Sequence, residues 1–155
     1  MTTSTTLKMP GTPKPWMNAA MRTMLGLPGL RRLLGRMFAV ITVTGAKSGR
    51  KYSTPIQYLR FDGDYVVLSE RHRVWWRNFR TRPEVTLTTG ARTITGRARI
   101  AEGDEAHQVL TVCLTANPRV AKYYGIKTDD RAAIDPADID RLSELVVPIV
   151  ITPAT

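Results

Sequence analysis

The sequence has few residues of the kinds that build disulfides and metal sites: among 155 residues there is one cysteine, Cys113, and two histidines, His72 and His107. A lone cysteine excludes an intrachain disulfide and a cysteine-based zinc site, and neither histidine has a partner at ligand spacing. Uncharged runs such as 37–46 and 145–155 are much shorter than the roughly 20 residues that span a bilayer. The first residues lack the apolar core of a signal peptide. We therefore expect a cytoplasmic protein without a bound metal.

Acidic residues are absent from the first 61 positions, which contain ten lysines and arginines; the first acid is Asp62. The rest of the chain has 13 basic and 13 acidic residues, so the whole net charge of +10 lies in the first two-fifths. Such an asymmetry favours an anionic partner, which could be a nucleic acid, an anionic membrane or a phosphorylated or polycarboxylate small molecule. A solvated basic face that aids solubility is the alternative.

The N-terminal part divides into two segments. Residues 1–15 have no hydrophobic period and are predicted to be a flexible arm. Residues 16–36 alternate apolar side chains and arginines at helical spacing, which predicts an amphipathic helix, broken near Pro28 and Gly29. This helix would cover the core, or lie in a membrane interface as a peripheral anchor. Residues 16–155 would then form a single domain.

From residue 37 the pattern changes to short strands with turns between them. Strands are predicted at 37–44, 53–60, 65–69, 85–89, 92–101 and 146–152. Helical segments are predicted at 74–80, 104–117, 119–126 and 137–142, the second of them N-capped by Asp104. Its apolar stripe includes Cys113, which we interpret as a small buried residue rather than a nucleophile. The pattern indicates an α+β fold whose antiparallel sheet of about six strands tends to close into a barrel.

The segment 45–51, Gly-Ala-Lys-Ser-Gly-Arg-Lys, has the strongest chemical character. Its spacing is not that of a P-loop, and a strand follows it instead of a helix. Two glycines nevertheless allow backbone N–H groups to converge on an anion, and Lys47, Ser48 and Arg50 add cationic and hydroxyl donors. A glycine-rich hairpin turn with exposed cations explains the same residues equally well.

Arginines and aromatic residues alternate between positions 71 and 82. This mixture can bind single-stranded nucleic acid through stacking and phosphate contacts. A pair of tryptophans on a short helix between strands is more often an internal packing anchor, so no nucleic-acid partner is expected. No Ser-His-Asp, paired-glutamate or His-Glu-x-x-His arrangement can be read from the sequence.

Taken in order, several motifs resemble one family. They are 43–49 (Val-Thr-Gly-Ala-Lys-Ser-Gly), 53–60 (Ser-Thr-Pro-Ile-Gln-Tyr-Leu-Arg), 62–67 (Asp-Gly-Asp-Tyr-Val-Val), 75–79 (Trp-Trp-Arg-Asn-Phe) and 82–85 (Arg-Pro-Glu-Val). The series resembles the deazaflavin (F420)-dependent nitroreductases, which are split β-barrel oxidoreductases, over roughly residues 30–152. The resemblance implies a split β-barrel of six or seven mostly antiparallel strands with flanking helices.

The resemblance also implies a site for coenzyme F420, the multiply anionic molecule that the basic first half would suit. The phosphate would lie at the segment 45–51, and the deazaflavin would lie along the strand that follows it. A second group of residues, between 69 and 78, would close the opposite side of the coenzyme site. The implied cofactor-binding residues are Ala46, Lys47, Ser48, Gly49, Arg50, Tyr52, Ser53, Thr54, Pro55, Ile56, Gln57, Ser69, Val74, Trp75, Trp76 and Asn78. Tyr123 falls on a tyrosine position of the family, and Tyr123 or Tyr124 could orient an acceptor or donate a proton as a catalytic residue.

The expected activity is hydride transfer between the deazaflavin and a small, lipophilic acceptor such as a quinone or enone. Three departures from the family pattern keep an alternative open: Tyr52 stands where the family usually has arginine, the loop 70–74 is short, and Asn117 and Val120 occupy two tyrosine positions. The alternative is a non-catalytic split-barrel protein that binds F420, FMN, haem or a fatty acyl ligand. The chain would be a monomer or a homodimer.

Overall fold

The computed structural model describes residues 19–20, 23, 38–90, 92–128 and 133–155. The predicted arm 1–15 lies outside these residues. Of the predicted helix 16–36, the described positions are Ala19, Ala20 and Thr23, which are helical, and the Thr23 hydroxyl donates to the Ala19 carbonyl at 3.0 Å. The proposed boundary of a single domain at residue 16 remains a prediction.

From Phe38 onward, the described residues form seven β-strands, three α-helices and one 3₁₀-helix. The strands are β1 (Phe38–Thr44), β2 (Lys51–Gln57), β3 (Leu59–Phe61), β4 (Asp64–Glu70), β5 (Glu84–Thr89), β6 (Arg92–Ile100) and β7 (Val146–Pro153). The 3₁₀-helix is Trp75–Arg80, and the α-helices are α1 (Gly103–Ala116), α2 (Pro118–Tyr123) and α3 (Pro136–Leu145).

All seven strands form one antiparallel sheet in the order β2-β1-β5-β6-β7-β4-β3. Alternation along β1 shows why one face is buried: Ala39, Ile41 and Val43 are at most 2% exposed, whereas the residues between them are partly exposed. Side chains of period two place these three on a single face, where they join the core. The strands predicted at 85–89 and 92–101 are present as β5 and β6, which pair as a hairpin.

The sheet curls because the chain passes directly from one of its edges to the other. Strand β2 lies at one end of the sheet and β3 at the other, yet only Tyr58 separates them in sequence. The two edges must therefore approach each other, and the concave face encloses a core that includes Ile41, Leu87 and Ile149. This curled, half-barrel sheet with flanking helices confirms the expected α+β split barrel.

The three helices cover the convex face of the sheet near β7. Successive residues of β7 are buried on both faces, as expected of a strand between two layers. Val147 and Ile149 point into the barrel, whereas Val146 packs with Leu110 of α1 and Leu142 of α3. The Arg71 guanidinium ties this layer to β4, because it donates to the carbonyls of Ser143 and Glu144 at the end of α3.

Several predicted boundaries were wrong. The strand predicted at 53–60 begins at Lys51 and is interrupted at Tyr58. Asp104 lies inside the first turn of α1 and is not its N-cap; Glu102 occupies that position without a side-chain hydrogen bond. The segment 74–80 is a 3₁₀-helix, and the helix predicted at 137–142 extends over Pro136–Leu145, where the Asp135 carboxylate accepts from the Ala137 N–H at 2.9 Å.

Candidate active site

The basic segment predicted to bind an anion forms the turn 45–50 between β1 and β2. The Gly45 N–H donates to the Arg50 carbonyl at 2.8 Å, and the Gly49 N–H donates to the Gly45 carbonyl at 3.0 Å. Gly49 has φ +67°, a left-handed conformation that glycine adopts without steric cost. These contacts fix the turn on the end of the β1–β2 hairpin, where Lys47 and Arg50 are exposed.

Some donors of this turn have no partner among the described residues. In the part of the chain that the structure describes, the N–H groups of Lys47 and Ser48 have no acceptor, and Lys47, Arg50 and Lys51 form no ion pair. Five arginines later in the chain differ, since each of them pairs with a carboxylate: Arg73, Arg80, Arg97, Arg99 and Arg141. Unpaired cations beside open N–H groups make this turn suited to an anion.

Asn78 connects this turn to the 3₁₀-helix. Its Oδ1 accepts from the Ala46 N–H at 2.9 Å, and its Nδ2 donates to the Trp75 carbonyl at 2.9 Å. The Ala46 N–H is therefore already satisfied by protein. Asn78 holds the turn in place, and the amides of Lys47 and Ser48 remain for a ligand.

Gly45, Ser48 and Tyr52 form a closely packed corner beside the turn. The hydroxyls of Ser48 and Tyr52 are 3.2 Å apart, and Ser48 Oγ accepts from the Arg50 N–H at 3.2 Å. A Cβ on Gly45 would lie 2.7 Å from Ser48 Oγ and 2.9 Å from Tyr52 Cε2. Glycine is thus needed at position 45 if Ser48 and Tyr52 are to keep these positions.

The side chains of strand β2 alternate between the two faces of the sheet. Tyr52, Thr54 and Ile56 pair in register with the inward-facing residues of β1, whereas Ser53, Pro55 and Gln57 point the other way. The Ser53 hydroxyl lies 2.8 Å from the Thr42 hydroxyl. In the described sheet β2 pairs with β1 alone, so it is an edge strand at which a flat ligand could lie.

The residues predicted to close the coenzyme site on the side opposite β2 differ widely in exposure. Val74 is 67% exposed, whereas Ser69 and Trp76 are 4% and 5% exposed, and the Ser69 hydroxyl donates to the Glu70 carbonyl. Trp75 packs edge-on against Phe79 with ring centroids 5.8 Å apart. Burial of Trp76 and Phe79 in the barrel core agrees with a packing anchor and leaves those rings unavailable for stacking on nucleic-acid bases.

The tyrosines predicted to be catalytic lie at the end of α2, against strands β3 and β4. With Gln57, Leu59, Val66, Leu68 and Val120 they line a cavity of about 40 Å³. Tyr123 is 55% exposed and Tyr124 only 6%, and their rings meet edge to face at 5.2 Å. The fold thus brings Gln57, at the end of the predicted coenzyme strand, to the same cavity as the tyrosine pair; we call it the tyrosine cavity.

Both phenols are held in their neutral form. Partial burial raises the pKa of Tyr123, the nearby Glu70 carboxylate raises it further, and Arg73 opposes this effect. Burial also raises the pKa of Tyr124, with smaller contributions from Tyr123 and Glu70. A protonated phenol donates a hydrogen bond, so Tyr123, the exposed member, can donate to a carbonyl in the cavity.

Glu70 is a charged residue of this region that the sequence analysis did not identify. It is 8% exposed and lies 3.1 Å from Arg73 Nε and 3.4 Å from His72 Nε2. Glu70 shares one face of β4 with Val66 and Leu68, which line the tyrosine cavity. The sequence feature that could have identified Glu70 is its place as a charged residue at the end of an apolar strand.

A Ser-His-Asp cluster that the sequence did not reveal is assembled between α1 and α3. His107 Nδ1 lies 3.3 Å from Asp140 Oδ1, and His107 Nε2 lies 3.1 Å from Ser143 Oγ. The Ser143 hydroxyl, however, donates to the Asp140 carbonyl at 2.7 Å, so its proton is not directed at the histidine. The cluster therefore joins two helices and does not activate a nucleophile.

Three further observations concern the described residues. They include no group of three or more metal-ligating side chains placed to hold an ion. None of their helices has both the length and the apolar character needed to cross a membrane. Cys113 is 2% exposed, and burial raises its pKa to about 11, as expected of a packed thiol.

Together these features define a class: a split-barrel protein with an anion-attracting turn on one edge strand and an apolar, phenol-lined cavity beside the same strand. The family model of F420H2-dependent quinone reductases matches residues 16–135. The chain belongs to this family.

Solved structures agree with this assignment. A structure described as an F420H2-dependent reductase is 26% identical, covers 74% of this chain and 94% of its own, and has a TM-score of 0.50. Another, described as a domain-swapped dimer, is 25% identical over 85% of this chain and 92% of its own, with a TM-score of 0.52. The haem storage protein HutZ of Vibrio cholerae, at 15% identity, coverage of 88% and 89% and a TM-score of 0.54, shares the fold.

The protein is therefore an oxidoreductase enzyme, its cofactor is F420, and it acts on quinones. The prediction of an F420-dependent split-barrel reductase is therefore confirmed. The alternative of a non-catalytic binding protein for F420, FMN, haem or a fatty acyl ligand is not retained.

Proposed function

We propose that the turn 45–50 binds the phosphate of F420, that β2 lines its deazaflavin ring, and that Tyr123 receives the quinone. The observation that carries the proposal is the set of unpaired donors on this turn, at the start of an edge strand that ends at the tyrosine cavity. When bound, reduced F420 supplies a hydride and a proton, which together convert a quinone to a hydroquinone.

The residues of the turn suit a phosphate and an acidic tail. Lys47 and Ser48 offer backbone N–H groups, and the side chains of Lys47, Arg50 and Lys51 offer positive charge that no described carboxylate neutralises. Gly49 leaves open space beside the backbone for a ligand, Gly45 makes room for Ser48 and Tyr52, and Ala46 acts through its bond to Asn78. This arrangement supports binding of a multiply anionic molecule at this end of β2.

Residues Tyr52, Ser53, Thr54, Pro55, Ile56 and Gln57 then provide an extended wall for the ring. Asn78 and Trp75 hold the turn from behind, and Val74 is exposed beside them. Ser69 and Trp76 are buried, which supports a role in shaping the wall through packing. Positioning of two reactants in one groove is the main contribution that such a protein makes to hydride transfer.

Tyr123 is proposed to donate a hydrogen bond to a quinone oxygen. Its exposed hydroxyl and its raised pKa support this role, because a neutral phenol stabilises the negative charge that develops on the oxygen as hydride arrives. Tyr124 packs against it edge to face and is buried, so it is proposed to fix the orientation of Tyr123.

The phosphate assignment is tested by titrating the fluorescence of F420 with purified protein. Lys47→Ala together with Arg50→Ala should weaken binding at least tenfold at low salt and reduce its salt dependence. Arg97→Ala is the matched control, because Arg97 is exposed but lies on β6 and pairs with Glu84; its affinity should be unchanged. Equal loss in both variants would show a general charge effect and refute the assignment.

Other parts of the prediction concern assembly and location. A homodimer is proposed with support from the relative described as a domain-swapped dimer, and light scattering tests it. A cytoplasmic location and membrane contact through 16–36 stay predictions. Sedimentation with anionic vesicles tests the membrane contact.

A further inference from the structure

A charged cluster lies where β4 ends and the loop to the 3₁₀-helix begins. Its centre is the Glu70 carboxylate, whose Oε2 lies 3.1 Å from Arg73 Nε and 3.4 Å from His72 Nε2. The three side chains differ in exposure, because Glu70 is almost buried, Arg73 is partly exposed and the imidazole of His72 is 60% exposed. We call these three residues the Glu70 cluster.

The Glu70 cluster extends from the tyrosine cavity to the solvent. Leu68 lines the cavity, and Glu70 is the next residue on the same face of β4, roughly 7 Å further along the strand. Burial has the largest effect on the pKa of Tyr123, but the Glu70 carboxylate also raises it and Arg73 lowers it, so both charges act on this phenol. His72 is the member of the cluster that meets the solvent.

Neutralisation of Glu70 does not require His72. A nearly buried carboxylate is costly without a partner, and Arg73, which is always charged, provides one through a hydrogen bond of 3.1 Å. His72 adds to the same carboxylate an imidazole, the side chain best suited to exchanging protons near neutral pH. The other carboxylate oxygen, Oε1, contacts no cation among the described residues, so it can accept from a hydroxyl or a water.

We propose that His72 supplies, by way of Glu70, the proton that Tyr123 donates to the quinone. This inference rests on the proposed role of Tyr123 and adds the source of its proton. Glu70 is then a positioning residue, which holds the imidazole and passes its proton toward the phenol.

The proposed step balances in atoms and electrons. The quinone takes up the hydride, with its two electrons, and one of its oxygens bonds to the phenolic proton as the O–H bond of Tyr123 breaks. The phenolate then takes a proton from Glu70, which receives it from Nε2 of His72, and His72 regains a proton from water. The proton that reduced F420 gives up enters the same water, so no further oxidant or reductant is needed.

The other charged and titratable groups around His72 do not offer the same route. Arg71 directs its guanidinium at the carbonyls that end α3, and Glu144 in that helix forms no ion pair among the described residues. On α2, burial raises the pKa of Tyr124, which therefore stays protonated. A change of rate with pH near neutrality is thus expected from His72 and Glu70.

The test compares the pH dependence of kcat in two histidine variants. The rate of the wild-type enzyme should fall between about pH 6 and 8 as the proton source is lost. His72→Gln can still donate a hydrogen bond to Glu70 but cannot exchange a proton, so its kcat should be about tenfold lower at about pH 6 and should no longer fall with pH. His107→Gln is the matched control, because His107 is the other histidine and joins α1 to α3; it should keep the wild-type profile.

Rescue by added imidazole separates proton supply from a structural role. Because the side chain of His72 is exposed, imidazole can reach Glu70 in His72→Ala and should raise kcat several-fold. It should not raise the kcat of Tyr123→Phe, which lacks the phenol. A purely structural contribution of His72 would not respond to imidazole.

A further measurement needs no turnover. Absorbance titration of tyrosinate, taken as the difference between a protein and the same protein carrying Tyr123→Phe, gives the pKa of Tyr123. Glu70→Gln removes a carboxylate that raises this pKa, so the pKa should fall, and kcat should lose its dependence on pH. Glu105→Gln is the control, because Glu105 is an exposed carboxylate of α1 that pairs with Arg99, and it should change neither quantity.

Three results would each overturn the inference while Tyr123→Phe remained slow: a wild-type pH profile in His72→Gln, no rescue by imidazole, or an unchanged pKa of Tyr123 in Glu70→Gln. Failure of the proposed function gives a different result. Tyr123→Phe would then reduce quinones as fast as the wild-type enzyme, so Tyr123 would not be the donor and the relay would fail with it.

Discussion

Replacement of Asn78 by alanine tests how the protein builds its coenzyme site. Asn78 makes two hydrogen bonds of 2.9 Å, one to the turn 45–50 through the Ala46 N–H and one to the 3₁₀-helix through the Trp75 carbonyl. Each is worth about 1 kcal/mol net, so Asn78→Ala should lower the free energy of unfolding by about 2 kcal/mol. For a chain of this size that corresponds to a fall in Tm of about 4–8 °C.

The same change should weaken F420 binding. Without Asn78 the turn is no longer fixed to the 3₁₀-helix, and a ligand must order it at a cost of about 1 kcal/mol, which corresponds to an affinity about fivefold lower. Asn78→Asp keeps an acceptor for the Ala46 N–H but loses the donor to Trp75 and adds negative charge beside the proposed phosphate. We expect it to bind F420 more weakly than Asn78→Ala does.

Thermal unfolding and fluorescence titration of F420 measure the two effects separately. Thr81→Ala is the control, since its exposed hydroxyl donates only a long bond of 3.4 Å to the Asn78 carbonyl, and its removal should change stability by less than about 0.5 kcal/mol. If Asn78→Ala lowers Tm but binds F420 as tightly as the wild-type protein, Asn78 does not position the turn for the coenzyme, and the reasoning fails.

Three further outcomes are expected. Gly49→Ala has open space around the added Cβ but must keep φ at +67°, so stability should fall by about 1 kcal/mol in urea titration; an unchanged midpoint would contradict this. Tyr123→Phe should lower kcat for quinones about tenfold with little change in Tm. Because the pKa of Tyr123 is raised, the rate of the wild-type enzyme should show no titration of this phenol between roughly pH 7 and 9. Burial raises the pKa of the Cys113 thiol from its ordinary value of 9.0 to about 11, so only about one thiol in a thousand is ionised at about pH 8 and a disulfide reagent should modify it only on unfolding. Since its folded pKa is raised, its contribution to stability is present below about pH 9 and is lost as the pH rises toward about 11.

The candidate active site could be predicted only in part from the sequence. The donors of the turn 45–50 could be read from local sequence because glycines and cations are adjacent there. The tyrosine cavity could not, because Gln57 and Tyr123 are far apart in the chain and nothing in either segment indicates the contact. The buried Glu70 escaped for the same reason: its partners His72 and Arg73 are local, but its proximity to the tyrosines depends on how α2 packs against β4.

The amino-acid sequence by itself determined where strands and turns lie and where positive charge collects, since periodicity, glycine positions and composition act over a few residues. It did not determine that Tyr58 carries the chain from one sheet edge to the other, that Asn78 supports a turn 32 residues away, or that Glu70 acts on Tyr123. Those relations depend on contacts between distant segments, which arise only when the sheet curls and the helices bury its convex face.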